Sequence, residues 1–156
     1  DVSYDRLNKI LLSAVKLNAK KASITADLTA AYEPELGVRK FLRVFEFTAP
    51  NGFTITDSIE TERSCTITSF LHADNLITKG SDGLFTFEPG GTNLTVELMS
   101  PETFETRIEK NILTAPGRPG SVDKGEREER GVRLAISTKE RLKSVTVQMH
   151  LTIKNK

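Results

Sequence analysis

Residues 144–154 read SVTVQMHLTIK, and their strict alternation of apolar and polar side chains is the feature that most constrains the fold. Successive side chains of an extended strand point to opposite faces, so one face of this segment is apolar and the other is polar. The apolar face carries Val145, Val147, Met149, Leu151 and Ile153. The same period of two recurs in residues 53–60, 65–72 and 93–99, which predicts several half-buried antiparallel strands.

Turn-forming residues separate the predicted strands. The segment TAPNGF joins a strand at about residues 41–48 to one at 53–60, and EPGGTN joins 83–88 to 93–99. Short strands separated in this way predict an all-β fold, an antiparallel β-sandwich with long loops. A chain of 156 residues with 37% hydrophobic content fits one domain with one core, so we expect residues 1–156 to form a single β-sandwich domain.

Two segments do not alternate. Residues 4–17, YDRLNKILLSAVKL, fit either one short N-terminal helix or an irregular connection into a strand at about residues 20–30, and the lack of a strong helix cap favours the connection. Residues 114–131 contain two prolines, four glycines and many charges, which predicts one long exposed loop. The basic residues of this loop are candidates for contact with an acidic sugar: Arg118, Lys124, Arg127 and Arg130.

Asp57 interrupts the apolar face of the strand predicted over residues 53–60. A carboxylate is seldom buried without a partner. A three-residue turn at residues 49–51 would place Arg43 directly opposite Asp57 on the neighbouring strand. We therefore expect a cross-strand ion pair between them.

Few side chains in this sequence could carry acid–base chemistry. Tyr32 precedes a proline-containing turn, and we expect it to anchor the edge of the sandwich. His150 falls on the polar face of the last strand, where we expect it to be exposed. His72 ends a strand on the face opposite Cys65 and Leu71 and is followed by Ala-Asp-Asn, which predicts a local turn, with ligand contact as the alternative.

Composition excludes several classes of function. A net charge of +1 is not that of a nucleic-acid-binding protein, and the apolar runs are too short to cross a membrane. The one cysteine, Cys65, cannot form an internal disulfide or a cysteine-based metal site, and we expect it to be a small core residue. No glycine-rich segment lies between a strand and a helix, as a phosphate-binding loop would. We expect no cofactor and no metal.

Several phrases of the sequence occur in a recognisable order. They are ITADLTAAYEPELGVRKFLRVFEF, FTITDSIETE, LHADN, LTVELMSPETFE and ERGVRLAIST. Together they resemble the C-terminal β-sandwich region of the heparinase II/III-like proteins, a polysaccharide lyase group. The resemblance covers nearly the whole chain and rests on ordered phrases and strand spacing rather than on a catalytic signature.

The resemblance implies an α-helical toroid followed by β-sheet layers, with the catalytic residues in the toroid and the first part of the β region. Residues 1–156 would then be a C-terminal fragment without catalytic residues, part of a parent protein that acts by β-elimination. Its implied partners are the upstream catalytic domain and an acidic polysaccharide. Two alternatives stay open: a free-standing carbohydrate-binding module, disfavoured by an aromatic content of 6% and the absence of Trp, and a structural or assembly module.

Overall fold

A computed structural model of the chain describes residues 8–73, 76–81, 83–87, 92–100, 103–115 and 129–155. Within these residues the chain is almost entirely strand. The strands are β1 (Leu11–Leu17), β2 (Lys21–Asp27), β3 (Val38–Thr48), β4 (Gly52–Cys65), β5 (Thr68–Ala73), β6 (Ile77–Lys79), β7 (Leu84–Phe87), β8 (Thr92–Ser100), β9 (Phe104–Ala115), β10 (Glu129–Thr138) and β11 (Leu142–Asn155). Two 3-10 turns, Thr29–Ala31 and Pro34–Leu36, connect β2 to β3. No helix in the described ranges is long and apolar enough to span a membrane. The predicted all-β class is confirmed.

The strands form two antiparallel sheets of unequal width. Eight strands, in the order β1-β2-β3-β4-β11-β8-β7-β6, make the large sheet, and three, in the order β5-β10-β9, make the small sheet. One core joins the two sheets, because Val147, Met149 and Val96 of the large sheet cluster with Leu134 and Ile136 of the small sheet. All five are at most 1% exposed. The alternation in β11 is therefore the pattern of a strand with one buried face.

The β3–β4 hairpin has the register of a three-residue turn at Ala49–Asn51, in which the Ala49–Pro50 peptide is cis. Thr48 pairs with Gly52, and the ladder continues through Phe45 opposite Ile55. Strand β11 then pairs with the other edge of β4. This register puts the apolar residues of β3, β4 and β11 on the same face.

Three sequence-based expectations need correction. Residues 11–17 form the edge strand β1, so neither a helix nor an irregular connection describes them. The strand predicted over residues 65–72 is two strands, because β4 ends at Cys65 in the large sheet and β5 begins at Thr68 in the small one. The loop predicted over residues 114–131 is shorter, since β9 runs to Ala115 and β10 starts at Glu129. Residues 116–128 lie outside the described part of the chain.

The shared core predicts a large difference between two chemically identical substitutions. Leu134 is 0% exposed, whereas Leu76 is 50% exposed. We expect Leu134→Ala to lower the free energy of unfolding by about 2–5 kcal/mol, because it leaves a cavity between the sheets. Leu76→Ala should change it by less than about 1 kcal/mol. Urea denaturation of both variants measures the difference, and equal losses would contradict this description of the core.

Candidate functional site

Arg43 and Asp57 face each other across β3 and β4 and form a bidentate ion pair. The Arg43 Nε donates to Asp57 Oδ1 at 2.6 Å, and Nη2 donates to Oδ2 at 2.7 Å. The Asp57 side chain is 0% exposed and that of Arg43 is 31% exposed. The pair expected from the sequence is thus present in the register that the hairpin turn sets. It satisfies a carboxylate that would otherwise be buried alone.

The pair also determines what either group can do chemically. The hydrogen bond to Asp57 raises the pKa of Arg43, against the opposing effect of burial. Both carboxylate oxygens of Asp57 already accept a hydrogen bond from the guanidinium, so Asp57 is poorly placed to take a proton from a substrate. The guanidinium carbon lies 5.6 Å from the ring centroid of Phe41 and 5.9 Å from that of Phe45, which adds cation–π contact.

A cavity of about 380 Å³ adjoins this ion pair where the small sheet stops short of the large one. Its walls are mostly apolar and include Phe41, Ile59, Ile67 and Phe70, with Arg43 as the charged group. A pocket of this composition suits an apolar side chain or ring more than a highly charged ligand, because its cation is already paired.

Tyr32 lines the same cavity and is held there by the turn that precedes it. Asp27 Oδ1 accepts a hydrogen bond from the Thr29 backbone N–H at 2.9 Å, and Thr29 Oγ1 accepts one from the Phe41 N–H at 2.9 Å. The hydrogen bonds with Thr29 lower the pKa of Asp27. The Tyr32 ring packs on Phe41 with centroids 5.6 Å apart, in agreement with the anchoring role expected for it.

Burial raises the pKa of the Tyr32 hydroxyl, and the charge of Arg43 only partly offsets that effect. A tyrosine that removes a proton from a sugar must be available as a phenolate, which requires a lowered pKa. The environment of Tyr32 therefore favours a neutral phenol and a packing role.

His72 lies on the outer face of the small sheet, away from the core. It pairs with Arg133 of β10, which in turn pairs with Glu109 of β9. Arg133 Nε donates to Glu109 Oε2 at 2.5 Å, and its guanidinium carbon is 4.3 Å from the centroid of Phe70. His72 is exposed, and its ring centroid is 6.3 Å from that of Phe70. These side chains form an outer cluster that also includes the guanidinium of Arg107.

The outer cluster contains two guanidinium groups and one carboxylate. Glu109 accepts hydrogen bonds from Arg133 and from Arg107, and these bonds lower its pKa. The Arg107 side chain is 77% exposed and remains accessible to solvent. Sequence reasoning found His72 but missed its neighbours. Arg107 and Glu109 alternate along one strand, which a period-two reading of residues 104–110 would have placed on one face.

His150 and Cys65 are separate from both of these regions. His150 lies on the outer face of the large sheet and is half-buried rather than fully exposed, with Nδ1 3.3 Å from Thr54 Oγ1. Cys65 is half-buried at the end of β4, and its Sγ is 3.7 Å from Thr61 Oγ1. His72, Tyr32 and His150 therefore occupy three different surfaces of the sandwich and do not converge on one reaction centre.

Most of the basic candidates from the predicted loop lie in the part of the chain that the structure does not describe. Arg118, Lys124 and Arg127 lie outside the described residues. For Arg130 only the backbone is described, and it pairs with Leu113 at the end of the β9–β10 ladder. Their contact with an acidic sugar stays a prediction. Among the described residues, no three His, Cys, Asp or Glu side chains lie close enough to share a metal ion.

Comparison with known proteins gives a match in structure rather than in sequence. No protein-family model and no curated protein matches the chain. Its fold is similar to a heparinase III gene product at 14% identity and a TM-score of 0.71, over 94% of this chain and 22% of that one. Similar values hold for the heparan sulfate lyase HepC from Pedobacter heparinus (9%, 0.72, 94% and 22%) and for a further heparinase III (12%, 0.69, 94% and 21%).

The chain has the fold of one part of these lyases. It spans only about a fifth of the length of the structures that it matches. The heparinase-like resemblance carried by the ordered sequence phrases is confirmed at the level of the fold.

The ion pair predicts opposite outcomes for single and double substitution. Arg43→Met should lower the free energy of unfolding by about 3–5 kcal/mol at neutral pH, because it leaves Asp57 charged and buried. The double variant Arg43→Met with Asp57→Leu should recover most of the stability. Chemical denaturation of the four members of this cycle tests it, and a double variant no more stable than Arg43→Met would contradict it.

Proposed function

We propose that this chain is the non-catalytic C-terminal β-sandwich domain of a larger heparinase II/III-like polysaccharide lyase, in which it supports the catalytic part. The observation that carries the proposal is the coverage of the structural match. The match includes 94% of this chain but only 21–22% of each lyase-like structure, as expected for a component of such an enzyme.

The chemistry of the described side chains supports a role outside the reaction centre. β-Elimination needs a base for the C5 proton, an acid for the leaving oxygen and a cation that neutralises the uronate. Tyr32 has a raised pKa, and the guanidinium of Arg43 is already paired with Asp57. The two histidines lie on opposite sides of the sandwich. These groups do not form a base, acid and cation around one sugar.

The test compares this chain with the native polypeptide that contains it. The native polypeptide should convert heparan sulfate or another acidic polysaccharide to an unsaturated uronate, which is measured by its ultraviolet absorbance. The 156-residue chain alone should give no product. Within the native polypeptide, Tyr32→Phe and His72→Ala should lower kcat by less than about tenfold, whereas loss of an acid–base group would lower it by about a hundredfold or more. Turnover by the isolated chain would refute the proposal.

A contribution to acidic-polysaccharide binding is a second proposal, favoured by the outer cluster. There the exposed guanidinium of Arg107 and the ring of Phe70, which is 42% exposed, lie on one sheet face with His72. An exposed ring and charged donors on a flat sheet are groups that could contact a sulfated or uronate-bearing sugar. The β9–β10 connection leaves the sheet near the His72 end of this face.

Isothermal titration calorimetry with acidic oligosaccharides separates the contributors. Replacing Arg107 and His72 by Ala should weaken binding by about tenfold, the effect of losing one or two charged contacts. A second variant with Arg118, Lys124, Arg127 and Arg130 changed to Ala tests the predicted loop. A third, Lys16→Ala with Lys21→Ala on the large sheet, is the control for a general loss of positive charge. Unchanged binding by the first two variants would remove both regions from the polysaccharide site.

A further inference from the structure

Among the described residues, part of the inner face of the large sheet is exposed on β1 and β3. The register of the ladders places Val15, Ile24, Phe45, Ile55 and Met149 in one row across β1, β2, β3, β4 and β11. Neighbouring rows end at Leu12 and Leu17 of β1 on the same face. The row through Phe45 is apolar along its whole width, and in the described part of the chain the small sheet has three strands with which to cover it. The uncovered part, here termed the open face, comprises Leu12, Val15, Leu17, Ile24 and Phe45.

Along this row the side chain on β11 is buried and those on β3 and β1 are exposed, with Ile24 of β2 half-buried between them. Met149 is 1% exposed, Phe45 is 41% exposed and Val15 is 53% exposed. In the neighbouring rows Leu12 and Leu17 reach 66% and 71%. Single exposed apolar residues are ordinary, but a contiguous apolar face that continues directly from the core marks an interaction surface.

The two edges of the large sheet differ in strand length and in the polarity of their exposed side chains. At one edge, β6 has three residues and presents Lys79, features that discourage pairing with another strand. At the other, β1 has seven residues, and four of them, Leu11, Leu12, Val15 and Leu17, are exposed and apolar. In the described residues no strand pairs with the free edge of β1. The apolar edge and the open face meet along this strand.

We propose that the open face is the surface on which the rest of the parent polypeptide packs, through an apolar element that covers β1 to β3. This inference rests on the proposed function. The similar lyase structures are four to five times as long as the matched fold, so in such a protein this fold lies beside a much larger body. The open face also adjoins the cavity beside Arg43. The apolar walls of this cavity have room for a side chain of the element that covers the open face.

Cysteine labelling of the intact native polypeptide tests this packing directly. In a background with Cys65→Ser, single cysteines replace Val15 or Phe45, and a maleimide reports the accessibility of each. The control is Ser13→Cys, on the opposite face of β1 and exposed. In the 156-residue chain all three sites should react at similar rates. In the native polypeptide the Val15 and Phe45 sites should react at least about tenfold more slowly, while Ser13 stays within about twofold.

Each outcome decides one question. Labelling of Val15 and Phe45 at the same rate in both proteins would overturn the docking proposal. So would protection that already appears in the isolated chain and grows with its concentration, because the occupant would then be a second copy. Lyase activity is measured on the same preparation. A protected face without lyase activity would refute the proposed function and leave the docking surface standing, and an active lyase with an unprotected face would do the reverse.

Discussion

The buried carboxylate of Asp57 is the constraint on which the central part of the large sheet depends. Its side chain is 0% exposed, and it sits between Arg43 on one strand and Val147 on the other. A slip of one residue in either ladder would move every side chain of the strand to the opposite face. The apolar row would then face solvent, and Asp57 would lose the guanidinium that satisfies it. The ion pair and the hydrophobic face thus specify the same register, which is why a charge can occupy an otherwise apolar row.

The unequal width of the two sheets explains the surfaces around this core. The three-stranded sheet covers β11, β8 and β7, where the large sheet contributes Val147, Val96 and Phe85, each at most 1% exposed. Beyond β4, Phe41 of β3 is still buried in the core, but Phe45 of β3 and Val15 of β1 are exposed. Arg43 lies beside these exposed residues, pairs with Asp57 and lines the cavity. The cavity and the open face both lie where the three-stranded sheet is narrower than the eight-stranded sheet.

The local sequence pattern predicts the strand faces well. It fails where a bulge or a pairing between distant strands determines the structure. The alternation in residues 144–154 identifies the buried face of β11 residue by residue, and the Asp57 interruption points to Arg43. Strand β1 escapes the same reading because a bulge between Ser13 and Val15 breaks the period of two. Leu12, Val15 and Leu17 share a face at spacings of three and two, which resembles a helical pattern as much as an extended one.

The sequence pattern also does not show where the chain passes from β4 in the large sheet to β5 in the small sheet, for a different reason. Cys65 and Ile67 both face the space between the layers, so alternation continues through residues 65–72 although the chain leaves one sheet and enters the other. The partners of His72 are equally non-local, since Arg133 and Glu109 come from two later strands. A short sequence segment carries no signal for such pairings, because they depend on strand order in the sheet.

Among the described residues, one part of the apolar face of the large sheet is buried and another part is exposed. Exposed leucine, valine and phenylalanine side chains in contiguous rows favour association whenever a complementary surface is present, because covering them removes apolar area from water. Side chains that could serve acid–base chemistry are instead dispersed over three surfaces, and Arg43, the charged group that lines the cavity, is already paired with Asp57. The exposed apolar area of the open face is thus the physical basis of the proposal that another part of the polypeptide covers it.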